Sequence, residues 1–256
     1  MVGTTHNVDQ HAAIVRFEHT AIGTEPVECE QHGSTSEKFE PGTSSVVWPV
    51  SLLLARHLCE TPSLVQGKSC VELGSGIGMV GLVAAALGAS SVVLTDVGRA
   101  MPVLESNAAR GRARNGAECL AAELEWGDDA QVDAVGRSAF DVVLAADVLI
   151  AGWAETHHSL ASTMRALLKP VVGVVLLGFE YREEWDTVAS FTDTCAELGM
   201  HVDSVQLDEG PDLPDDFYLY TITLVDLDAP AAPPATRADS VHGDEGEDAP
   251  SYTFGL

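Results

Sequence analysis

Residues 70–81 read "CVELGSGIGMVG", an apolar run that breaks into glycine at every second or third position. The run up to Leu73, closed by a glycine, predicts a short buried strand near 69–73. The following "MVGLVAAALG" predicts a helix, so Gly74, Gly76 and Gly78 form a tight strand-to-helix turn. Glycine there lets the backbone take left-handed angles and lets a ligand approach it closely. Two ligand-binding frames fit the same residues. From Gly76 the stretch matches G-x-G-x-x-G; from Glu72 it matches E-x-G-x-G-x-G. Asp96 ends the next predicted strand, "SVVLTD", twenty residues after Gly76, where an acid can hold ribose hydroxyls.

Outward from this loop the chain alternates. Before it, "VVWPVSLLLARHLCE" puts Pro49 at a first helical position, with Leu52, Leu53, Ala55 and Leu58 on one broad apolar face. After it come a helix over roughly 101–114, a strand near "ECLAAELEW" and a buried strand in "FDVVLAAD". "WAETHHSLASTMRALLK" reads as an amphipathic helix and "VVGVVLLGF" as another strand. "EEWDTVASFTDTCAELG" reads as a helix, "MHVDSVQLD" alternates, and "DFYLYTITLV" is a last strand. Continuous apolar strands alternating with helices imply a parallel sheet covered on both faces. "EGPDLPD" joins the last two strands without a helix, so they should pair antiparallel. Five parallel strands plus a closing hairpin look like the seven-stranded, Rossmann-like sheet of class I methyltransferases.

Residues 1–45 are polar; "AAIVRFEHT" and "PVECE" read as edge strands of a partly ordered extension, and "QHGSTSEKFEPGTSS" as a loop. The principal domain is expected over 46–226. Beyond it, 227–256 is rich in Ala, Pro, Asp and Glu with few large apolar residues, a composition that predicts a disordered acidic tail.

Composition sets further bounds. No run of eighteen apolar residues suggests a membrane span, and the first twenty residues lack the pattern of a secretory signal. Five scattered cysteines never fall at metal spacing and suit a reducing compartment. A cytoplasmic protein is expected, with a nuclear share compatible. No metal site is read from the nine histidines. A formal charge of −26 repels phosphate backbones and attracts basic partners, which argues against nucleic acid and for a lysine-bearing protein.

The two frames of the glycine loop imply different cofactors. A dinucleotide sets its pyrophosphate on the helix N-terminus. S-adenosylmethionine has no phosphate and carries cationic sulfonium and ammonium groups. Glu72, at the tip of the first strand, offers a negative field that suits the second and repels the first, so the methyl donor is preferred over NAD or NADP.

With Trp48, the loop, Asp96 and "LEWGDD" in one chain, the sequence resembles the non-histone protein lysine methyltransferases of methyltransferase family 16, the methyltransferase-like 21 type. The likeness runs from about Val46 to Val225. "VVWPVSLLLARHL" is similar to the family's Trp-bearing helix start, and "VELGSGIGMVGLVAAALGA" to its signature almost residue for residue. The resemblance implies an S-adenosylmethionine-dependent enzyme that methylates a protein on a lysine nitrogen; a monomer is expected. It places Trp48 beside the methionine part of the donor, and Gly74, Ser75 and Gly76 under it. It places Asp96 at the ribose, Trp126 at the adenine and Ala146 at a further donor contact.

One departure concerns the acceptor. The family closes its fourth strand with D-x-x-Y, whereas this chain reads Asp147-Val148-Leu149-Ile150. Asp147 keeps the carboxylate expected to hold the incoming amine. Ile150 has no ring or hydroxyl, and Trp153 or Tyr181 is the candidate replacement. Two rival readings follow: a nicotinamide-dependent oxidoreductase using the same glycines, and a non-catalytic binding module that keeps the donor pocket.

Overall fold

A computed structural model describes residues 9–32, 43–115, 118–149, 154–181, 185–207 and 216–225. Its centre is a seven-stranded sheet. Strands β3 (Ser69–Leu73), β4 (Ser91–Asp96), β5 (Glu118–Glu123), β6 (Val142–Ala146) and β7 (Val174–Glu180) are parallel. Strands β8 (Met200–Gln206) and β9 (Phe217–Leu224) form the antiparallel end, with β9 inserted between β7 and β8. The order is β5-β4-β3-β6-β7-β9-β8. It reverses direction between β3, which neighbours β4, and β6. In open α/β sheets such a switch point leaves a crevice at the carboxyl ends of the strands.

The strand sequences explain why both faces are covered. In β3, Cys70 packs on one side and Val71 and Leu73 on the other. In β6, Val142 and Leu144 face the first core while Val143 and Ala145 face the second. Helices α1 (Pro49–Glu60), α2 (Met79–Ala86) and α3 (Met101–Asn115) cover the first face. Helices α4 (Asp129–Val135), α5 (Ala154–Leu167) and α6 (Trp185–Glu197) cover the second. Pro49 begins α1 after an extended Trp48, and Val50, Leu53, Leu54 and Leu58 are buried. Burial of each leucine contributes roughly 1.5–3 kcal/mol. The helix lies so close to the sheet that a Cβ on Gly178 of β7 would come within 2.9 Å of Val50.

One expectation changes. The strands at 12–30 do not edge the large sheet. β1 (Ile14–Phe17) and β2 (Val27–Glu30) pair only with each other. Phe17, Val27 and Cys29 nevertheless join the first core, beside residues of α2 and α3. The described residues before 46 therefore belong to the same compact unit as the sheet. The segment read as an acidic tail, and the segment "EGPDLPD", lie outside the described residues. Among the described residues no helix is long and apolar enough to cross a membrane.

Candidate active site

The glycine turn is wired by hydrogen bonds between β3 and β4. Ser75 N donates to Thr95 O (2.9 Å), Thr95 N donates back to Ser75 Oγ (2.9 Å), and Thr95 Oγ1 donates to Glu72 O (2.7 Å). Gly76 N donates to Asp96 Oδ2 at 2.8 Å, so the loop and the acid twenty residues later form one unit. Gly74 has φ +61°, and a Cβ there would lie 2.8 Å from Val148 and 3.3 Å from the Trp126 ring. Both the backbone angle and the space exclude a side chain at this position.

Glu72 has a different role from the one its position suggested. Its carboxyl turns under the loop and accepts from Gly81 N at 2.9 Å, in the first turn of α2. The N–H groups of a first helical turn have no partner within the helix, and Glu72 supplies one. Gly81 is required by this contact: a Cβ would sit 2.3 Å from Leu94 and 2.8 Å from Glu72 Oε2. Glu72 is only 2% exposed. Burial, opposed by the Gly81 hydrogen bond and reinforced by the nearby Asp96, pushes its pKa up to about 8. It is therefore largely uncharged at neutral pH, and it is not among the residues lining the cavity described next. The protonated form favoured by burial offers the cavity little of the negative field expected of it. What it does instead is fill the helix end on which a dinucleotide would rest its pyrophosphate.

At the carboxyl ends of the strands lies a cavity of about 640 Å3. Trp48, Gly74, Ser75, Gly76, Asp96, Trp126, Ala146 and Asp147 all line it. Each is brought there by its element. Trp48 precedes α1, Asp96 ends β4, Ala146 ends β6, and Trp126 stands on the "LEWGDD" turn after β5. That turn is held by its neighbours. Gly127 N donates to Thr163 Oγ1 of α5 (2.9 Å), and Asp128 caps α4 by accepting from Ala130 N and Gln131 N (2.9 and 3.0 Å).

Asp96 is 7% exposed. Burial raises its pKa, while the N–H groups of Gly76 and Val97, the Ser44 hydroxyl and the charge of Arg99 pull it down. The far side of the cavity carries Asp147, Glu155, Phe179 and Glu180. Asp147 has φ +59° and donates its N–H to Gly178 O at 2.9 Å, so the chain leaves β6 by a left-handed residue beside β7. Such angles cost free energy in a side-chain-bearing residue and collect at functional sites; Asp is among the residues that tolerate them. Glu125 also lines the cavity, and among the described residues Arg99 is the one basic group lining it. This balance of charge suits a cationic ligand better than a phosphate.

Tyr181 does not replace the missing tyrosine. It is not among the lining residues. Its hydroxyl pairs with that of Tyr220 at 2.9 Å and its ring meets Phe179 and Tyr218 edge-on. Ile150 and Trp153 lie outside the described residues. Sequence reasoning missed Ser44, Arg99, Glu155 and Glu180. Glu180 had a usable signal, since it ends a parallel strand; Ser44 had none.

Comparison with known proteins follows the same lines. The lysine methyltransferase model, methyltransferase family 16, matches residues 31–193. The protein N-lysine methyltransferase METTL21A of Danio rerio is 33% identical over 146 residues, covering 57% of this chain and 64% of its own length. The protein N-terminal and lysine N-methyltransferase EFM7 of Eremothecium gossypii is 32% identical over 174 residues, covering 63% and 64%. The chain thus matches less than two thirds of the length of either relative. Among solved structures, the glycopeptide N-methyltransferase MtfA complexed with sinefungin superposes with TM-score 0.51 at 14% identity, over 66% of this chain and 92% of that one. This likeness concerns the fold, and it agrees with the class I methyltransferase sheet. The family match extends over more than half of the sequence and takes in Trp48, the glycine loop, Asp96, Trp126 and Asp147. The chain belongs to the lysine methyltransferase family 16.

Proposed function

We propose that this protein is an S-adenosylmethionine-dependent methyltransferase that acts on a lysine side chain of a non-histone, lysine-presenting protein. The observation that carries the proposal is the cavity itself. It gathers a glycine loop, a ribose-type acid, two tryptophans and a strand-end carboxylate at the sheet's switch point. Family membership and relatives named for lysine methylation support the acceptor.

The residues present fit the donor. Asp96 offers a fixed carboxylate for ribose hydroxyls, and Gly74 leaves a space that a side chain would fill. Trp126 offers a flat apolar wall for the adenine, and Trp48 one for the methionine end. When bound, S-adenosylmethionine supplies a methyl group on a positively charged sulfur, open to in-line displacement by a neutral amine. The chain has to position that amine, keep it neutral and exclude water. Asp147, the first residue after β6, can accept a hydrogen bond from the amine and take its proton on a carboxylate oxygen. The acidic far wall favours entry of a cationic side chain, and the overall charge of −26 favours a basic partner.

Thermal shift and calorimetry test the donor reading. S-adenosylhomocysteine should raise the melting temperature, while NAD and NADP should not, because a ligand that binds only the folded state stabilises it. Asp96→Ala should weaken S-adenosylhomocysteine about tenfold to a hundredfold, since a charge-assisted contact is worth roughly 1.5–3 kcal/mol. A shift with NAD instead would make the protein an oxidoreductase. S-adenosylhomocysteine binding with no methyl transfer to any protein would favour the binding-module reading, to which the Ile150 departure points.

A further inference from the structure

Asp96 is held by three groups among the described residues, and they differ in origin. Gly76 N donates to Oδ2 (2.8 Å) and Val97 N to Oδ1 (2.8 Å). Both belong to the strand–turn unit that any sequence of this pattern would build. The third is Ser44 Oγ, which donates to Oδ1 at 3.2 Å from a position 52 residues earlier in the chain. Ser44 lies in a short 3-10 turn (Thr43–Ser45) and lines the cavity with Trp48 and Gly76. Its carbonyl oxygen lies 3.4 Å from where a Cβ on Gly76 would stand, so the turn packs directly on the glycine loop.

The fold fixes that turn. His32 N donates to Ser45 O (2.9 Å), and Val47 N donates to Oε1 of Gln31 (3.2 Å), a buried residue. The hairpin carrying Gln31 and His32 is fastened in turn by Asn107 of α3, which is 0% exposed. Asn107 Nδ2 donates to Glu30 O and to Ile77 O (both 2.9 Å), and its Oδ1 accepts from Glu30 N (2.7 Å). One side chain therefore ties the N-terminal hairpin and the glycine loop together.

We infer that Ser44 is a positioning residue of the donor site, acting through Asp96, and that the short turn at 43–47 is a wall of that site. The inference rests on the donor reading proposed above. A carboxylate gripped at both oxygens cannot swing about its side chain, and its remaining lone pairs stay aimed at the cavity. Without Ser44, Oδ1 keeps only the N–H of the adjacent residue. The Ser44 hydroxyl also favours the ionised carboxylate. Among the described residues, the titratable groups acting on Asp96 are Glu72 across the glycine loop and Arg99 after β4, and neither is altered by a change at Ser44.

The experiment is calorimetric titration of the full chain with S-adenosylhomocysteine between pH 5 and 8, for wild type, Ser44→Ala and Ser44→Thr. Ser44→Ala should weaken binding about threefold to tenfold, the scale of one ordinary hydrogen bond, because Ser44 acts on the donor only through Asp96. The pH below which affinity falls should move upward, and Ser44→Thr should restore both. Wild-type affinity and pH profile in Ser44→Ala would overturn the inference. Equal weakening in both variants with an unmoved pH profile would overturn it too, leaving only a packing role for the turn. Failure of the wild type to bind S-adenosylhomocysteine would instead refute the donor reading itself.

Discussion

The two ends of the cavity are built differently. At the donor end, β3, the glycine turn and β4 exchange backbone and short side-chain hydrogen bonds over 72–97, and Glu72, Ser75, Thr95 and Asp96 are all buried. At the acceptor end, Asp147, Glu155 and Glu180 come from three separate elements, and Asp147 sits at a left-handed angle. The donor end is a closed network in which each residue answers to a neighbour in the pattern. The acceptor end is a convergence of element ends. A ligand common to many enzymes can be met by the first kind of construction; a particular acceptor calls for the second.

The first expected effect breaks the donor network. Gly81→Ala would drive a Cβ into Leu94 and against the Glu72 carboxyl. Overpacking of this kind costs about 1–3 kcal/mol, or roughly 3–10 °C in melting temperature for a domain of this size. Calorimetric melting at unchanged stability would mean that α2 can slide away from β3 and that the network is loose.

Glu72→Gln sharpens the contrast. With its folded pKa raised to about 8, Glu72 stabilises the fold fully below its unfolded value near 4.5. That contribution is lost as pH rises toward and through 8. Glutamine keeps the acceptor for Gly81 N and cannot ionise. The variant should gain stability relative to wild type between pH 5 and pH 9, by roughly 1–4 kcal/mol at the upper end. Denaturant titration across that range measures it. S-adenosylhomocysteine affinity should stay within about twofold; a loss beyond tenfold would return Glu72 to the donor contacts.

The smallest effect concerns α5, behind the acceptor end. His157 is 3% exposed, meets Phe191 edge-on at 6.2 Å, and among the described residues has no hydrogen-bond partner at either ring nitrogen. Burial lowers its pKa below 6.5. The unfolded chain binds a proton there before the folded one does, so stability is present above pH 6.5 and declines as pH falls below it. His157→Leu should remove that decline, worth about 1 kcal/mol or less between pH 7 and 5.5. Parallel stability curves for the two proteins would show that His157 is not buried neutral.

The same division decides what the sequence made legible. β3 and β4 could be bounded to the residue, because each is an apolar run stopped by a glycine or an acid. Trp48, Asp96, Trp126 and Asp147 converge because their motifs sit at element ends, and such ends meet at the switch point. Nothing in the local sequence marks His157 for burial, yet the packing of α5 against α6 buries it. Helix α4 was not expected: seven residues show too little periodicity, and its cap, Asp128, reads as part of a motif. The roles of Glu72, Ser44 and Tyr181 depend on partners 9, 52 and 39 residues away. Local patterns carry no trace of such contacts.

The central claim is that this cavity transfers a methyl group to a lysine held by Asp147. The direct measurement is incorporation of labelled methyl from S-adenosylmethionine into lysate proteins, with modified residues located by mass spectrometry, for wild type and Asp147→Ala. Wild type should label lysine on a discrete acceptor. Asp147→Ala should abolish labelling while leaving S-adenosylhomocysteine affinity nearly intact, because its interaction belongs to the reacting complex. Full labelling by Asp147→Ala, or a wild-type mark on a residue other than lysine, would contradict the account.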